Sequence, residues 1–81
     1  MSPKAPRNVS GKTLIKVLSK YGYEVIRQSG SHIRMSTDTK DGAHNITIPN
    51  HDAIKLGTLM SILSDVSSHL KIDKEDIIKK L

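Results

Sequence analysis

The sequence predicts an α+β fold: a helix, a three-stranded antiparallel meander, a second helix and a short C-terminal helix, packed as two layers. Three observations predict it. Apolar residues recur at helical spacing over residues 11–21 and again over residues 57–66. Between them lie three short runs with strand character, at residues 23–28, 32–37 and 44–48. Turn residues, Gly30-Ser31 and Asp41-Gly42, separate those runs.

The elements follow in order. Residues 1–9 hold Pro3 and Pro6 among polar and basic neighbours, and are expected to form a flexible tail before a single domain over residues 10–81. Ser10 is placed to cap the first helix, with Gly11-Lys12-Thr13 as its first turn. Leu14, Ile15, Val17, Leu18 and Tyr21 form its apolar face, and Gly22 ends it. Lys12, Lys16 and Lys20 repeat on the far side, a stripe that suits either a phosphate backbone or an ordinary solvated face.

The phase of the first strand is ambiguous, because Val25 and Ile26 are adjacent. In the second strand Ile33 and Met35 point one way, while His32, Arg34 and Ser36 point the other. Residues 38–42 read as a turn, Ile46 and Ile48 share a face of the third strand, and Pro49 stops the ladder. A polar loop over residues 50–56 leads to Gly57-Thr58, which open the second helix, with Leu59, Leu63 and Val66 on its apolar face. Asp73 is placed to cap the last helix, whose acids come first and lysines last, as the helix dipole favours. The two longer helices are expected to cover Ile33, Met35, Ile46 and Ile48, leaving His32 and Arg34 on the opposite side of the sheet.

Composition narrows the function. A chain of 81 residues builds one modest core, with no room for a deep cofactor cavity, and no cofactor is expected. No cysteine is present, which excludes disulfides and thiolate metal sites. The four histidines match no metal-ligand spacing, so no metal is expected. Thirteen basic residues against eight acidic ones leave a net charge of +5, which points first to nucleic acid. Tyr21 and Tyr23 are the only aromatic residues, too few for a base-stacking platform, so recognition through backbone and shape is easier to build. No apolar run is long enough to span a membrane and the N-terminus lacks an apolar signal core, so a cytoplasmic protein is expected.

Gly30-Ser31-His32 is the most informative stretch. A Gly-Ser turn delivers a histidine to the start of the returning strand, with Arg27 and Arg34 on either side. An imidazole can take or give a proton near neutral pH, and guanidinium groups grip phosphate through two hydrogen bonds at once. Gly30 lets the backbone approach a nucleic-acid strand, with Ser31 beside it in the turn. Gly57-Thr58 begins a helix whose free amides suit an anion, with Lys55 just upstream; Thr58 can donate to phosphate or cap the helix. His51, in the loop after Pro49, is a candidate for shaping the site. His44 and His69 read as plain surface residues.

The pattern resembles the HicA family of bacterial mRNA interferase toxins. The resemblance rests on Ser10-Gly11, Gly22-Tyr23, Arg27-Gln28-Ser29-Gly30-Ser31-His32, Ile46-Thr47-Ile48-Pro49, His51, and Lys55-Leu56-Gly57-Thr58-Leu59 with Ile62-Leu63. No single motif is specific; their order and spacing together cover roughly residues 10–70. The resemblance implies a double-stranded-RNA-binding-like fold, α-β-β-β-α, and an endoribonuclease acting on mRNA. It implies a HicB-type antitoxin as partner and His32 as the catalytic residue. Many members carry a second histidine directly after it, where this chain has Ile33 on the core face. Two rival readings stand beside it: a non-catalytic double-stranded-RNA-binding module, and a protein-interaction domain whose basic face meets an acidic partner.

Overall fold

A computed structural model describes residues 8–40 and 42–81. Helix α1 (Gly11–Lys20) leads into strands β1 (Glu24–Ser29), β2 (His32–Thr39) and β3 (Gly42–Pro49), then α2 (Leu56–Leu70) and the short α3 (Lys74–Ile78). The strands form one antiparallel sheet in the order β1-β2-β3. This is the predicted α+β arrangement.

Local chemistry explains each boundary. The Ser10 hydroxyl accepts a hydrogen bond from the Thr13 amide at 3.1 Å, so one of the free donors at the start of α1 is satisfied. Gly22 follows the helix at φ +96°, a conformation that costs a side-chain-bearing residue more. Gly30 has φ +58° at the first position of the two-residue β1–β2 connection, where a mirror-image turn needs it.

The core lies between the helices and the inner faces of β2 and β3. Leu14 and Leu18 of α1, Met35 and Ile48 of the sheet, and Leu59, Leu63 and Val66 of α2 are buried. Ile33 and Ile46 complete the inner face of the sheet, as predicted. Ile77 anchors α3 against this core. The helices leave β1 bare: all six of its residues are exposed.

Several boundaries differ from expectation. Tyr23 precedes β1 and is buried, a core residue rather than the first of the strand. Val9, assigned to the tail, is buried too, and its carbonyl accepts from the Ile54 amide at 2.8 Å. The rest of that tail, residues 1–7, lies outside the described residues. The turn expected over 38–42 gives up Asp38, Thr39 and Gly42 to the ladder, in which Asp38 and Thr39 pair opposite Ala43 and Gly42; Asp41 lies outside the described residues. Pro49 belongs to β3 as its last residue, opposite His32; an edge strand tolerates its missing donor there. Helix α2 starts at Leu56, before Gly57, since the Lys55 carbonyl already accepts from the Leu59 amide. Asp73 occupies the cap position of α3 without making a side-chain capping bond.

Candidate functional site

The site begins with an irregularity in β1. Val25 pairs with Met35, and the next ladder position joins Arg27 to Arg34, so Ile26 is an extra residue in a β-bulge. Strict alternation would put Arg27 on the same face as Val25, which shares the core side with Met35. The bulge reverses that phase. Arg27 emerges on the outer face, directly across from Arg34, and Arg34 in turn pairs with Thr47 of β3. The next row on that face, two ladder positions on, is Ser29, His32 and Pro49.

These rows form a shallow groove of about 360 Å³ lined by Arg27, Ser29, His32, Arg34 and Thr47. It contains two guanidiniums and an imidazole but no carboxylate. Among the described residues neither arginine has an acidic partner. Like charges placed opposite each other on a sheet are destabilising. A groove that keeps them together suits a dianionic or polyanionic ligand that neutralises both. Thr47 is the lining residue that sequence reasoning missed; its alternation against Ile46 and Ile48 is the signal that marks it as outward-facing.

Three main-chain bonds gather further elements at this end of the sheet. The Asn50 amide donates to the Ser31 carbonyl at 2.7 Å, the Gly11 amide to the His51 carbonyl at 2.9 Å, and the Ile54 amide to the Val9 carbonyl. Gly11 packs so tightly that a Cβ there would meet the Pro49 carbonyl oxygen at 2.4 Å. The hairpin tip and the starts of α1 and α2 are thus strapped together by residues 50–54. His51 contributes its main chain to that strap, and its exposed side chain does not line the groove. Lys55, Gly57 and Thr58 stand at the exposed start of α2, also outside the groove lining. Thr58 caps nothing: it is the third residue of α2, whose cap position belongs to Lys55.

The helix starts carry a shared electrostatic signature. Neither α1 nor α2 has an acid in its first turn, whereas α3 has Glu75 and Asp76 there. Lys12 sits in the first turn of α1 and Lys55 at the cap of α2, both where the dipole disfavours a cation. The two helix ends nearest the hairpin tip are therefore left positive.

A family model described as the HicA toxin of bacterial toxin-antitoxin matches residues 11–67, from the start of α1 well into α2. The chain belongs to the HicA toxin family. No curated protein and no solved structure gives a match.

This HicA toxin also holds a side-chain cluster at the opposite end of its sheet. His44 pairs with Thr37 on the core face, in phase with Ile46 and Ile48. Its Nδ1 shares a 2.7 Å hydrogen bond with the Tyr23 hydroxyl. Its ring stacks on His69 of α2, with centroids 4.5 Å apart and planes 13° from parallel. His69 Nε2 shares a 3.0 Å hydrogen bond with the Thr39 hydroxyl. Burial pushes the His44 pKa below its ordinary value, and the neighbouring His69 adds to that shift while Asp65 opposes it. Burial, with Asp65 second, raises that of Tyr23. The expectation of two plain surface histidines is therefore corrected: they close the corner between β3 and α2. Among the described residues no group of three or more His, Cys, Asp or Glu side chains is placed to hold a metal ion. Nor is any described helix long and apolar enough to cross a membrane.

Proposed function

We propose that this HicA toxin is an endoribonuclease that cuts mRNA in the cytoplasm, using His32 as its catalytic residue and no metal, and that a HicB-type antitoxin neutralises it. The observation that carries the reading is the bulge that sets Arg27 beside Arg34 on the face of His32.

RNA supplies its own nucleophile, so no metal-bound water is needed. The 2′-hydroxyl attacks the adjacent phosphorus, the P–O2′ bond forms as the P–O5′ bond breaks, and the products are a 2′,3′-cyclic phosphate and a free 5′-hydroxyl. His32 takes the 2′-hydroxyl proton or gives one to the departing 5′-oxygen, a contribution of roughly 10²–10⁴-fold for one positioned group. The guanidiniums of Arg27 and Arg34 offset the charge that builds on the phosphorane oxygens. Gly30 and Ser31 keep the turn narrow enough for the strand to come close. Lys55 and the free amides around Gly57 and Thr58 hold a neighbouring phosphate, as an uncompensated helix start favours. His51 shapes the site through the strap that holds the hairpin tip.

The test is incubation of labelled mRNA with purified protein in EDTA, comparing the wild type with His32→Ala. The wild type should give fragments and the variant none, with RNA affinity unchanged within a few fold. Cleavage by the variant would remove His32 from its role. Binding without cleavage by the wild type would leave a non-catalytic double-stranded-RNA-binding module.

A further inference from the structure

Helix α1 carries Lys12, Lys16 and Lys20 on its exposed side, opposite the buried Leu14, Val17 and Leu18. No acid occurs anywhere in the helix, so nothing within it offsets the stripe. Among the described residues none of the three lysines forms an ion pair. Four residues of helix advance about 6 Å, so the ammonium groups can follow successive phosphates of one strand. The stripe also starts in the right place. Gly11, one residue before Lys12, is bonded to His51 and packed against Pro49, which pairs with His32. The helix then runs from that end of the sheet to the other, where Gly22 precedes β1.

We infer that RNA leaving the His32 groove turns around this end of the sheet and follows α1, with Lys12, Lys16 and Lys20 each taking one phosphate. The smallest dimension of the molecule is 18 Å, so a few nucleotides suffice to make the turn. The proposal deepens the ribonuclease reading in that it takes RNA as the ligand, but it concerns binding and does not need cleavage. It makes the toxin a reader of strand length: a short RNA fills the groove, and only a longer one reaches the track.

The experiment measures binding of two fluorescent single-stranded RNAs, one of four nucleotides and one of sixteen, over a range of salt concentrations. It uses His32→Ala protein so that the RNA survives. The triple variant Lys12→Gln, Lys16→Gln, Lys20→Gln is added to that background; glutamine keeps helix propensity close to that of lysine. For the long RNA, the slope of log affinity against log salt should fall by about 2, since each single-strand phosphate contact contributes roughly 0.7. For the short RNA it should not change. Arginine at the three positions should restore the slope. Glutamine at Lys40, Lys74 and Lys79 removes the same charge elsewhere and should leave the slope alone. Equal loss from that control would reduce the effect to net charge and overturn the track. An unchanged slope in the α1 variant would overturn it too, assigning the stripe to a protein partner. Cleavage by the His32-containing protein, assayed separately, decides the nuclease reading independently.

Discussion

Arg27 and Arg34 face each other directly across the first hairpin, two like charges two ladder positions from His32 and on its face of the sheet. In the free protein such a like-charged pair disfavours folding, and on the ribonuclease reading proposed above bound RNA would neutralise it. Stability and activity should therefore move in opposite directions when one charge is removed. Arg34→Gln is expected to raise stability by a few tenths of a kcal/mol, the scale of cross-strand charge terms. The same change should weaken RNA cleavage at least tenfold. Urea denaturation and a cleavage time course on one preparation check both signs.

Gly11 presses against the end of β3, leaving a Cβ only 2.4 Å from the Pro49 oxygen. Because that neighbour is backbone, it cannot swing aside. Gly11→Ala should cost about 1–3 kcal/mol, the usual range for overpacking. In a domain of this size that lowers the midpoint of thermal unfolding by roughly 4–8 °C per kcal/mol. Circular dichroism melts measure it, and cleavage should fall as well, because the displaced strand end carries the partner of His32.

The His44–His69 stack makes stability depend on pH. Folding lowers the His44 pKa, through burial first and His69 second, against a smaller pull from Asp65. The unfolded chain then binds the proton more readily. This stabilisation is present above the ordinary imidazole pKa of about 6.5 and is lost as pH falls through the lower folded value. Tyr23, His69 and Asp65 face the ring, and Lys71 lines the same pocket. Urea midpoints should drop between pH 7.5 and pH 5, and His44→Gln should flatten that drop. A steeper drop in the variant would contradict the assignment.

Ile77 of α3 is fully buried although α3 lies beyond the family match. Ile77→Ala should cost about 2–5 kcal/mol, as for other core deletions. Truncation after residue 72 should do at least as much damage. Either result makes the short helix part of the domain rather than an appendage; the denaturation midpoint reports it.

The order of elements was legible because each depends on a local signal: Ser10 before an apolar helical repeat, Gly22 after it, Gly30 in a tight turn, Ile46 and Ile48 in alternation. The inner face of β2 and β3 followed from the same alternation. The phase of β1 did not, since two adjacent apolar residues fit either register and only pairing with β2 shows where the bulge falls. That is also why Arg27 could be named from sequence while its pairing with Arg34 could not. Thr47 and the His44–His69 pair escaped notice for a related reason. Alternation tells which face Thr47 is on, but the partners of all three residues come from other strands or from α2, and spacing along the chain does not say which they are. Gly11 looked like an ordinary first-turn residue because the atom it makes room for belongs to a strand some forty residues on.

The bulge has a second consequence. Val25 and Ile26 are 49% and 56% exposed on a strand whose outer edge pairs with nothing among the described residues. A flat edge of that kind is a template on which further copies of a chain can stack into fibres. The extra residue at Ile26 breaks the regular spacing of donors and acceptors that such stacking requires. The irregularity that aims Arg27 thus also makes this edge a poorer template for such stacking.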